Sequence, residues 1–178
     1  MKKTILILSL LLMVSFISPA LAKEEHAYQS IEVPTSAEFD QIKTLVGAWE
    51  GTTTDMGKDP TEAKAEYKIT SAGSAVVEVL FPGTKHQMHS VYFNQKGKLT
   101  MLHYCALGNR PVLELEKADA TGIQLNFSPR SDIDVQKEPH MHALKIFMPD
   151  SNTLVHEWTY YEKGQPAGTT LINLKRIS

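Results

Sequence analysis

From Gly47 onward, apolar and polar residues alternate with a period of two, and turn-forming residues return about every ten positions. The pattern predicts strands at Gly47–Thr54, Ala63–Thr70, Ala75–Phe81, Gln87–Phe93, Lys98–Leu107, Val112–Lys117, Ile123–Phe127, Met141–Met148, Thr153–Tyr161 and Thr169–Arg176. One earlier stretch has helical spacing instead. Thr35-Ser36-Ala37-Glu38 fits a capping box with Thr35 as the cap, and Phe39, Ile42 and Leu45 follow on one face, which predicts a short helix from about Ser36 to Leu45.

Most connectors are short and carry Gly or Asn, as in Asn94-Gln95-Lys96-Gly97 and Glu162-Lys163-Gly164-Gln165, so neighbouring strands are joined as hairpins. An up-and-down antiparallel sheet of about ten strands removes its edges by closing on itself. The expected fold is therefore an all-β, antiparallel up-and-down barrel preceded by one short helix. Ser128 to Pro139 departs from the pattern: it is long, charged and contains two prolines, and it reads as a functional loop or lid, or equally as a plain surface loop.

Register assigns faces. A three-residue loop Gln95-Lys96-Gly97, with Gly97 left-handed, would pair Asn94 with Lys98, Val91 with Met101 and His89 with His103. His89, Met101, His103 and Cys105 then share an otherwise apolar face that points inward, and Tyr104 points out. His142 alternates with Leu144 and Ile146, and His156 with Leu154 and Trp158, which puts both histidines inside with Trp158 and Tyr160 as aromatic lining. Glu78 lies in the apolar run Val76-Val77-Glu78-Val79-Leu80; a solvent-facing carboxylate is the more economical placement, and an inward one would be a base or a ligand.

The N-terminus sets the expected compartment. Met1-Lys2-Lys3, the apolar run Thr4 to Pro19 and Ala20-Leu21-Ala22 have the form of a signal peptide cleaved after Ala22, so residues 1–22 are expected to be removed, 23–34 to form a polar arm and 35–178 the domain. This implies a periplasmic protein without stable membrane insertion. Removing the two leader lysines changes 18 basic against 20 acidic residues to 16 against 20. That balance lacks the basic excess that phosphate binding needs, so no nucleic-acid partner is expected. The single Cys105 has no internal partner for a disulfide.

Candidate chemistry concentrates in Leu99–Pro111, LTMLHYCALGNRP. The expected ligand pocket is His89, Met101, His103, Cys105, His142, His156 and Trp158. Thiolate and imidazole on strand spacing suit zinc or copper, with His103, Cys105 and His142 as the metal set. A binding protein that holds a small ligand inside the barrel, a metal ion or haem or otherwise a lipophilic molecule, is preferred, because the pattern describes a lined cavity rather than an activated nucleophile. The alternative is a metal- or cysteine-dependent enzyme that uses the same His/Cys cluster. Gly108-Asn109 reads as a tight turn, or as an amide placed at the pocket mouth.

Gly47-Ala48-Trp49, following the short helix, resembles the opening of the calycins: lipocalins, fatty-acid-binding proteins and nitrobindin-like haem proteins. The resemblance implies that Trp49 closes one end of the barrel and that Arg176, from the last strand, lies over its ring. A nitrobindin-like barrel would also imply haem, with His142 or His156 as an axial ligand. Phe81-Pro82-Gly83-Thr84, Met88 to Tyr92, His103 to Pro111 and His140-Met141-His142 are similar to an uncharacterised bacterial family of lipocalin-like domains, whose most specific segment here is HYCALGN. The family would have Gln where Arg110 stands, and it implies no particular activity.

Overall fold

A computed structural model describes residues 33–55 and 59–178. The expected leader, and the arm as far as residue 32, lie outside the described residues. One short helix, α1 (Ala37–Lys43), precedes ten strands: β1 (Gly47–Asp55), β2 (Thr61–Thr70), β3 (Ala75–Leu80), β4 (Met88–Gln95), β5 (Lys98–Tyr104), β6 (Val112–Asp119), β7 (Gly122–Phe127), β8 (His140–Asp150), β9 (Thr153–Glu162) and β10 (Gln165–Arg176). Each strand pairs antiparallel with the next, and β1 pairs with β10, so the sheet closes into a barrel. Closure satisfies the ladder hydrogen bonds of both terminal strands.

The two ends of the barrel differ. At one end α1 lies over the interior and buries Phe39 and Ile42 against Leu45 and Trp49. Ser36, rather than Thr35, is the N-cap and accepts from the Phe39 amide at 3.2 Å; Thr35 bonds Asp40 instead. Trp49 donates its indole N–H to the Leu45 carbonyl at 2.8 Å, and the Arg176 guanidinium lies 4.1 Å over the indole ring. Arg176 also donates to the carbonyls of Thr44, Val46 and Ser151. A cation is favourable there, because the helix C-terminus leaves unpaired carbonyls and partial negative charge. Gly47 has φ +132, and a Cβ on it would meet the Ser178 carbonyl oxygen at 2.2 Å and an Arg176 nitrogen at 2.9 Å. Only glycine fits there.

The β4–β5 hairpin corrects the expected register. Gln95 pairs with Lys98, Tyr92 with Met101, Ser90 with His103 and His89 with Tyr104. Lys96 and Gly97, with φ 54 and 80, form a two-residue turn, because Lys96 takes the left-handed conformation that the three-residue loop assigned to Gly97 alone. The shift of one residue changes which side chains of β4 face in: Ser90 and Tyr92 are buried, and His89 is on the other face. On β5 the expected faces hold, with Leu99, Met101 and His103 inside and Tyr104 exposed.

Loop 128–139 is fastened at many points rather than left as a free lid. Ser128 caps the short turn Pro129–Ser131, Ser131 bonds Val112, and Arg130 binds Glu114 and Gln95. Asn109 donates to the Pro139 carbonyl at 2.7 Å. The turn at Gly108-Asn109 therefore anchors this loop. Among the described residues no helix is long and apolar enough to cross a membrane.

Candidate functional site

The open end carries a cavity of about 500 Å³, lined by Thr53, Thr61, Glu62, Phe81, Thr84, His86, Met88, Cys105, Ala106, Leu107, Met141, Tyr160 and Thr170. That volume lies within the range of small-molecule sites. The strand ends explain the lining. β3, β5 and β9 finish at this mouth and β4 and β8 begin there, so Phe81, Cys105 and Tyr160 meet Met88 and Met141. Two methionines supply an adaptable, polarisable wall.

Cys105 belongs to this cavity, just beyond the end of β5. Its backbone N–H donates to the Asn109 carbonyl at 3.1 Å, and its carbonyl accepts from Gly108 at 3.0 Å. Burial pushes the thiol up, and the Leu107 and Ala106 amides offset this only partly. The group is thus held as a thiol, not as a thiolate nucleophile.

His103 sits one inward step below Cys105, and Trp158 one step below Tyr160, at a strand rise of about 3.3 Å per residue. Their rings lie 4.6 Å apart between centroids. The Nδ1 of His103 meets the Ser90 hydroxyl at 3.0 Å. Desolvation lowers the His103 pKa to about 4, against an opposing pull from Glu78. At neutral pH His103 is a neutral imidazole.

Deeper inside is a group the sequence placed differently. Glu78 is fully buried, inside rather than facing solvent. Tyr67, opposite it on β2, donates to Oε1 at 2.8 Å, and Tyr92 donates to Oε2 at 2.8 Å. Burial, then the charge of Glu78, raises both tyrosines well above their ordinary value, so both hydroxyls keep their protons. Tyr67 has one proton and gives it to Glu78, so its 2.9 Å contact with His156 has the imidazole Nε2–H as donor. That leaves His156 Nδ1 buried without a hydrogen bond, 3.5 Å from Glu78 Oε1. Desolvation lowers the His156 pKa and Glu78 raises it in part.

The sequence-predicted site residues thus separate into groups. His103 and Trp158 meet, with Met101 buried in the core beside them on β5. His156 joins Glu78 and Tyr67, and Cys105 lines the mouth. His89 contacts Gln87 at 3.0 Å on the outer face. His142 sits at a register shift between Met141 and Ala143, stacked on Tyr161 at 3.7 Å and on Phe127 at 4.9 Å, with its Nδ1 2.9 Å from His140 Nε2. His103, Cys105 and His142 therefore do not converge as a metal set: the extra residue at the shift gives His142 its own aromatic neighbours. Among the described residues no group of three or more His, Cys, Asp or Glu side chains is arranged to hold a metal ion. Met88, Met141, Phe81, His86 and Glu78 are the residues that sequence reasoning left out of the site. For Glu78 the run Val76-Val77-Glu78-Val79-Leu80 is apolar on both faces and carried no orienting signal.

No family model and no curated protein matches the chain. Among solved structures, the fold is similar to a protein of unknown function from the DUF3598 family of Nostoc punctiforme, at a TM-score of 0.52 and 15% identity. The likeness covers 77% of this chain and 49% of that one. This chain therefore spans about half the length of that protein, and at this identity the likeness concerns the fold alone.

Proposed function

We propose that this chain is an exported, calycin-like binding protein that holds a small lipophilic molecule in the cavity at the open end of its barrel. One observation carries the reading: the barrel is plugged at the α1 end, whereas the opposite end opens onto a cavity of about 500 Å³ walled largely by Phe81, Met88, Leu107, Met141 and Tyr160. Apolar area removed from water there contributes roughly 25 cal/mol per Å². A ligand that fills the cavity gains affinity without asking for a charge partner. Export rests on the leader-like run of residues 1–22, and the barrel assignment gains support from the Trp49–Arg176 contact that the calycin resemblance implied.

Cys105 supplies the test, since it is the single cysteine and it lines the cavity. A neutral naphthylamine probe should show saturable fluorescence enhancement with the purified protein. Labelling Cys105 with a bulky maleimide should abolish that enhancement, and bound probe should slow the labelling. Cys105→Ser should bind the probe like the parent and ignore the maleimide. Absence of saturable binding, or binding indifferent to a bulky group on Cys105, would overturn the reading.

A further inference from the structure

We infer that the cavity selects an uncharged lipophile with a hydrogen-bonding head group, inserted head first toward His103 and Trp158, and that it discriminates against the corresponding carboxylate. The inference rests on the binding function proposed above and specifies the ligand's chemistry. Two polar edges lie one layer below the cavity walls. His103, only 1% exposed, is held through Nδ1 by Ser90, and among the described residues its Nε2 has no hydrogen-bond partner. The indole N–H of Trp158, 3% exposed and with its ring tilted against the imidazole, has none either. Neither atom is among the fully buried polar atoms that lack a partner, so each edge keeps access to open space, where a head group that offers an acceptor to the indole and a donor or acceptor to the imidazole would pair it.

The charge of the interior decides between head groups. A carboxylate needs a basic partner once it leaves water. Among the described residues no lysine or arginine is buried. The titratable groups of the cavity wall are Glu62, which Lys64 pairs at 3.1 Å, with His86, Cys105 and Tyr160, and below them lies the buried Glu78, whose charge reaches His103. Glu78 is already bound at both oxygens by Tyr67 and Tyr92, and no arginine or lysine faces it. An anionic head would enter beside a second acid, with no buried lysine or arginine to pair it. A hydroxyl, ketone or ester carries no such charge. Like-charge repulsion at an effective dielectric near 20 is enough for about tenfold discrimination across several ångströms.

The experiment is competition for the naphthylamine probe by decanol, decanoate and decane at neutral pH. Decanol should displace the probe at a concentration at least about tenfold below decanoate, and also below decane. His103→Leu and Trp158→Phe should bring decanol toward decane, and Glu78→Gln should narrow the gap between decanol and decanoate. Decanoate binding as tightly as decanol would overturn the selection while leaving the binding function intact; decane matching decanol would overturn the head-first anchor. The ranking on the unaltered protein decides both points even if a variant fails to fold. Failure of every ligand and of the probe itself would instead count against the binding function.

Discussion

The two ends of this barrel are built from the same ten strands and have opposite chemistry. At the α1 end, the carbonyls of Thr44, Leu45 and Val46 each have a side-chain donor, and Trp49, Phe39 and Ile42 fill the interior. At the mouth, the inward side chains are Met88, Cys105, Met141 and Tyr160, and they surround space rather than fill it. The difference teaches how a single sheet divides its labour. Packing at one end supplies stability, which permits the other end to remain unfilled and available for a ligand. Cavities cost stability in proportion to their volume, so an open mouth is sustainable only on a scaffold stabilised elsewhere.

Removing the plug should break this division most strongly. Trp49→Ala deletes a fully buried indole, its hydrogen bond to Leu45 and the ring under Arg176. A loss of about 3–5 kcal/mol is expected in denaturant unfolding, as for other large-to-small core changes. At temperatures where the variant remains folded, its probe affinity should stay within about twofold of the parent's, because RT ln 2 is small against any direct contact. A large loss of affinity in the folded variant would show that the two ends are coupled.

Acid should act on the interior between the two ends. The His103 pKa falls from 6.5 unfolded to about 4 in the barrel, so the unfolded chain takes up a proton that the folded chain refuses. Stability is therefore fully present above about pH 6.5, falls as pH drops through that value, and levels off below about 4; the full difference is on the order of 3 kcal/mol. His156 is shifted in the same direction and adds to the slope. Glu114, held at about 2 by Ser128, Lys98 and Arg130, loses stability only below its ordinary carboxylate range of 4.5. The interval between pH 6.5 and 4.5 thus reports the buried histidines. His103→Leu should flatten the stability curve there, and an unchanged slope would remove His103 from this account.

Much of the fold was legible because it depends on local chemistry. The period of two pointed to about ten strands, whereas the Trp49–Arg176 plug was implied only by the resemblance of Gly47-Ala48-Trp49 to the calycin opening. The site was less legible, since it depends on register and on side chains from strands far apart in sequence. Glu78 lies in a run where both faces are apolar, so alternation could not orient it until Tyr67 and Tyr92 were placed beside it. His142 was misplaced because a single extra residue in β8 is invisible to a period-two count. Met88 and Met141 stand at strand starts, where they become a wall only once the mouth exists. His89 was assigned inward through the one turn whose length was misjudged.

That turn offers the smallest and sharpest test of register. Lys96 occupies a left-handed conformation that β-carbon sterics disfavour, and it stands directly before Gly97 in a two-residue hairpin turn. Asn tolerates this conformation, and Asn-Gly is the pair best suited to the turn. Lys96→Asn should stabilise the protein by a few tenths to about 1 kcal/mol, read as a higher denaturation midpoint with an unchanged denaturant slope. Lys96→Val should move it the other way, because a β-branched residue resists a positive φ. If position 96 had ordinary right-handed geometry, as the three-residue loop requires, neither change would follow this order. His89 would then return to the inner face opposite His103, and Ser90, which now holds the imidazole that orients the pocket floor, would be turned away from it.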